Sequence, residues 1–70
     1  MRRFHATGTV REHHHESNVW AAPGRYGARY VHAGERVTVL VEAANEGSAR
    51  VVAHYDRKLR GDLTVHEVAR

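Results

Sequence analysis

The second half of the chain alternates. In Arg36-Val37-Thr38-Val39-Leu40-Val41-Glu42 a β-branched apolar residue recurs at every second position, the pattern of a strand buried on one face. Asn45-Glu46-Gly47-Ser48 follows with turn-forming residues, and Arg50-Val51-Val52-Ala53-His54-Tyr55 reads as the returning strand of a hairpin. Arg57-Lys58-Leu59-Arg60-Gly61 makes a tight basic loop closed by glycine, and residues 62–68 make a third strand. Pairing Val41 with Val51, Val39 with Ala53 and Val37 with Tyr55 places the apolar set on one face. The same register sets Glu42 opposite Arg50 and Arg36 opposite Asp56, pairs that a one-residue slip would lose. Continuing the meander sets Tyr55 against Leu63 and Ala53 against Val65. The expected buried face is therefore Val37, Val39, Val41, Val51, Ala53, Tyr55, Leu63 and Val65.

The first half is less regular. Residues 7–11, 18–21 and 29–32 read as short strands, with a loop over Ala21-Ala22-Pro23-Gly24-Arg25-Tyr26-Gly27 and a turn at Ala33-Gly34. Five or six short strands within 70 residues, with no repeat and no linker, predict one all-β domain. Its expected form is a small SH3-like or OB-like barrel, closed so that no strand edge is left bare.

Composition narrows the classes. A chain of this length buries only about 60% of the surface exposed on unfolding, so its stability is marginal. With no cysteine, neither disulfides nor thiolate zinc can supplement the core. No signal-peptide core follows Met1-Arg2-Arg3, and the longest apolar stretch is far too short to span a bilayer. The expectation is a cytoplasmic protein without membrane contact. Ten of the eleven basic residues are arginine, a usage typical of GC-rich bacterial genomes, and the net positive charge lies in residues 1–34.

From Tyr30 to Val41 the chain resembles the small β-barrel that follows the catalytic core of DDE-type insertion-sequence transposases and integrases. The shared features, in the family's order, are Thr7-Gly8-Thr9-Val10, Gly24-Arg25, His32-Ala33-Gly34-Glu35-Arg36-Val37 and Gly61-Asp62-Leu63-Thr64-Val65. The resemblance implies a DNA-binding accessory barrel. It also implies no strand-transfer activity, because that family's catalytic carboxylates lie upstream of the barrel. The chain would then be a detached or remnant domain.

Candidate chemistry points the same way. His13 and His15, sharing one side of an extended Glu12-His13-His14-His15-Glu16 segment, are weak metal-ligand candidates that lack a spaced third and fourth ligand. A solvated polar hairpin accounts for them better, and no cofactor is expected. Ser17 and Ser48 sit in no nucleophile elbow, so no catalytic residue is assigned. Phosphate contacts fall instead to Arg2, Arg3, Arg25, Arg29, Arg57, Lys58 and Arg60, with Tyr26 as a stacking surface. Trp20 and Tyr55 are expected in the core. The basic loop is expected to project freely, so that replacing Arg57, Lys58 and Arg60 by alanine would hardly alter stability. Two functions follow: non-specific, phosphate-directed nucleic-acid binding, DNA in particular, or an SH3-like module for an acidic protein or peptide.

Overall fold

The computed structural model describes residues 1–68. Its first strand, β1 (Arg2–Thr9), alternates from Phe4 onward. Phe4, Ala6 and Gly8 are buried, while His5, Thr7 and Thr9 on the opposite face are half-buried. It pairs antiparallel with β4 (Arg36–Ala43), setting Phe4 beside Val41, Ala6 beside Val39 and Gly8 beside Val37. The strand starts five residues before the Thr7 that the sequence pattern suggests, because Phe4 and Ala6 have apolar partners on β4. Gly8 serves a close approach: a Cβ there would stand 2.9 Å from the Cβ of Leu63.

β2 (His14–Ala22) and β3 (Arg25–Val31) form a hairpin turned at Pro23-Gly24, where Gly24 takes the left-handed φ of 74°. Register shifts interrupt β2 between Glu16 and Val19 and again between Trp20 and Ala22. The hairpin joins the rest of the sheet at the rung between Val19 and Val39. β5 (Thr64–Glu67) pairs antiparallel with β1, Val65 lying beside Ala6. The strand order is β3-β2-β4-β1-β5.

Most of the chain is thus β, in one five-stranded antiparallel sheet. The sheet is not closed. β3 and β5 lie at opposite ends, so the expected barrel does not form. The hairpin nevertheless curls over one face, bringing the Tyr26 hydroxyl within 2.6 Å of His5 Nε2 although two strands separate β3 from β1.

The main departure from the sequence pattern is α1 (Glu46–Tyr55), which stands where a returning strand at residues 50–55 is expected. Asn45 adopts extended backbone and its side chain accepts a hydrogen bond from the Ser48 N–H at 2.9 Å, capping the helix instead of turning a hairpin. Glu46 in the first turn suits the positive end of the helix dipole. Ala49 and Ala53, one turn apart and fully buried, let the helix lie close against β4, β1 and β5. Val52 packs partly beside them. The pairings of Val51, Ala53 and Tyr55 with β4, and of Tyr55 and Ala53 with Leu63 and Val65, are absent for this reason. Val51 and Tyr55 point outward at 57% and 65% exposure. Val37, Val39, Val41, Ala53, Leu63 and Val65 do lie in the core, joined by Phe4, Ala6, Val10, Val19, Val31 and Leu59.

The segment after α1 is also no free loop. Leu59 is fully buried and pairs with Val10. Around it, Arg11 N–H donates to Lys58 C=O at 2.9 Å, and Arg60 N–H donates to Thr9 C=O at 2.8 Å. Lys58 takes a φ of 56° to make the bend.

Val39 tests this packing most directly, since it is fully buried between Ala6 and Val19. Val39→Asp is expected to abolish the cooperative thermal transition, because an unpaired buried carboxylate costs more than so small a domain can absorb. Asn45→Ala should be milder, lowering stability by about 1 kcal/mol in urea unfolding.

Candidate nucleic-acid interface

Alternation in β1 and β4 assigns one sheet face to the core beneath α1 and the other to a polar, aromatic surface. On that outer face His5 neighbours Leu40 and His66, and Thr7 lies between Thr38 and Thr64. The Thr7 and Thr38 hydroxyls are hydrogen-bonded at 2.7 Å. Because the β2–β3 hairpin curls over it, this face is concave. A groove of about 760 Å³ runs between the hairpin and β5, lined among others by Arg3, His5, Trp20, Tyr26 and His66.

Trp20 lies on this face, 40% exposed, and not in the core as its size suggests. It pairs across the hairpin with Tyr26, so both rings share the side opposite Val19. A second depression of about 350 Å³ lies on the other flank of Trp20, bordered by Thr7, Thr38, Arg29 and Arg36. One aromatic side chain therefore separates two hollows, with Arg3 at one and Arg29 and Arg36 at the other.

Ion pairing sorts the expected phosphate ligands. Arg2 is engaged by Glu67 through Nε and Nη2, at 2.8 and 2.7 Å. Arg29 is held by Glu35 at 2.5 Å, and Glu35 also accepts the His32 N–H. The hydrogen bond from Arg29 and that backbone bond keep the Glu35 carboxyl below its ordinary range. Lys58 reaches Glu12 at 3.3 Å. Arg57 pairs with Glu16, which is 2% exposed and also contacts His14 Nε2 at 3.3 Å. Arg57 is thus a structural cation tying the end of α1 to β2, and the picture of three freely projecting basic side chains gives way. Among the described residues Arg3, Arg25, Arg36 and Arg60 make no ion pair. Of these, Arg3 and Arg36 border the concave face.

The histidine segment has a different use from the one its alternation suggests. His13 precedes β2, and its Nδ1 accepts the Ala33 N–H at 3.1 Å while its ring meets those of Tyr30 and His32. His15 lies exposed beside Tyr30 on β2. Among the described residues no group of three or more His, Asp or Glu side chains is placed to hold a metal ion. No described helix is long and apolar enough to cross a membrane.

His5, Thr7, Trp20, Arg36, Thr38 and His66 are the interface residues that sequence reasoning missed. For His5, Thr7, Arg36 and Thr38 the signal was the odd-numbered alternation in β1 and the even-numbered one in β4, legible only once the two strands are known to be neighbours; Trp20 and His66 join them from β2 and β5. No family model matches the chain, and no curated protein or solved structure matches it.

Two outcomes follow from these ion pairs. Arg57→Ala leaves the Glu16 carboxylate buried without its cation, and should cost about 3 kcal/mol in chemical denaturation, whereas Lys58→Ala should change stability little. The depressed Glu35 pKa stabilises the folded state above the ordinary carboxyl value of about 4.3, and that stabilisation is lost as pH falls through the lower folded value. A carbon-detected NMR titration should find Glu35 ionising below the ordinary carboxyl value, and Arg29→Ala should raise its midpoint.

Proposed function

We propose that this protein binds nucleic acid without catalysis, through phosphate-directed contacts on the concave face of its sheet. One observation carries the reading: Trp20 stands exposed between two hollows, bordered by Arg3 and Arg36, neither of which forms an ion pair with a described acidic side chain, although Glu42 is the cross-strand neighbour of Arg3. Unpaired arginines attract phosphate and an exposed indole between them offers a stacking surface. Glu67 is engaged with Arg2 and Glu35 with Arg29, so these two repel an incoming polyanion less, whereas Glu42 lies opposite Arg3 across the β1–β4 ladder.

The reading retains the nucleic-acid role implied by the resemblance to transposase barrels, including an accessory part beside a separate catalytic chain. It moves the contact surface from the segment after α1 to the outer face of β1, β4 and the hairpin. An extended acidic peptide is the competing occupant, favoured by the same arginines.

Salt dependence tests the proposal. Binding of a labelled oligonucleotide should weaken steeply between 50 and 200 mM salt. Arg3→Glu with Arg36→Glu should weaken it further and lower the slope by roughly one unit for each phosphate no longer neutralised, while Lys58→Ala leaves the slope unchanged. A salt-independent affinity, or a double variant that binds as the parent does, would overturn the assignment.

A further inference from the structure

We infer that the concave face takes an unpaired strand, one base stacking on Trp20 and its neighbour entering the groove beside Tyr26 and His5. The inference rests on the nucleic-acid reading above and narrows it to single-stranded DNA or RNA. Trp20 borders three separate depressions, the two already described and a smaller one beside Gly27 and Ala28, so its ring rises between them as a ridge. Stacking on such a ridge requires a base with an uncovered face, which a duplex does not offer along its length. The groove at one side falls within the size range of sites that enclose small planar ligands. Tyr26, His5 and His66 line it with flat rings.

Among the described residues, no element outside this face is built to enter a duplex groove. Reading a major groove takes a projecting helix or ribbon. The outward residues of α1 include Glu46 and Arg50, which pair with each other, and Val51 and Tyr55, so the helix presents no net positive face to phosphate. The β2–β3 hairpin bends back over its own sheet and is tied there by the hydrogen bond between Tyr26 and His5. Arg3 and Arg36 lie at opposite ends of the β1–β4 ladder, Arg36 being paired with Thr9. Six residues of strand separate these ends, about 20 Å, enough for a run of only a few nucleotides between the two cations. Two rings between two phosphate ligands, on a concave surface, match the way single strands are held without sequence readout.

Trp20 is the chain's one tryptophan, so its fluorescence reports the contact directly. The unaltered chain is titrated at low salt with an eight-nucleotide oligo-dT, an eight-nucleotide oligo-rU and a duplex of equal phosphate count. Single strands are expected to quench Trp20 emission and to bind at least tenfold more tightly than the duplex, on the order of one stacked base. Quenching by either oligonucleotide supports the inference, and the tighter of the two identifies the preferred sugar. By anisotropy of labelled oligonucleotides, Trp20→Ala should weaken single-strand binding about tenfold and duplex binding hardly at all, with Trp20→Phe restoring most of the affinity. The quenching experiment stands whether or not the alanine variant folds. Equal affinity for duplex and single strands with unquenched Trp20 would overturn the inference and leave phosphate-directed binding in place. Binding to none of the three would overturn both.

Discussion

The rung between Val19 and Val39 joins the two parts of this sheet, and the shape of the molecule depends on it. Val39 is fully buried, with Ala6 on one side and Val19 on the other. Small or β-branched side chains at all three positions let the strands pack closely beneath α1. β2 departs from regular pairing with β3 on both sides of Val19, at the shifts after Glu16 and after Trp20. A hairpin held to the sheet at one rung and irregular on either side of it can bend. It bends over the outer face, where His5 and Tyr26 secure it. The concavity of the candidate interface is thus a consequence of how little of β2 is laddered to β4.

Charge placement explains why a modestly basic chain can have a localised binding surface. Glu67, Glu35, Glu12 and Glu16 each answer a cation, and Glu16 does so from within the core. Buried ion pairs of that kind add little net stability but strongly penalise removal of one partner. Arg57 is therefore committed to holding the end of α1 against β2. What remains for a polyanion is set by which arginines lack an ion-pair partner, and that subset is much smaller than the count of basic residues. A charge total says how strongly a surface can attract phosphate. It does not say where.

Residues 45–55 show the limit of periodicity. Val51, Ala53 and Tyr55 alternate as a strand does, while Ala49, Val52 and Ala53 recur as one face of a helix does, and a segment this short satisfies both. Alanines settle the competition in the fold: they bury without strain under a helix that must approach the sheet closely, and they contribute little as strand residues. Asn45, three residues before Ser48, was the local cue for a helix cap. Leu59 misleads in the opposite way. Surrounded by Arg57, Lys58 and Arg60 it looks like a loop tip, yet its side chain fills the core beside Val10.

By itself the sequence determined a mostly β fold with β4 as its buried strand, because strict alternation of valines over seven residues has one physical solution. It also determined the turn at Gly34 and the core roles of Val37, Val39, Val41, Ala53, Leu63 and Val65. Tertiary structure alone decided the strand order, the helix between β4 and β5, and the open, curled form of the sheet. It also decided the candidate interface, since Arg3 and His5 of β1, Trp20 and Tyr26 of the hairpin and Arg36 of β4 come from separate segments and share a face only through the pairing of β1 with β4 and of β2 with β3 and β4. Alternation specifies which side of its own strand a residue takes. Which strands become neighbours, and whether an indole on the outer face is then covered or left bare, depends on contacts between distant segments that no local pattern encodes.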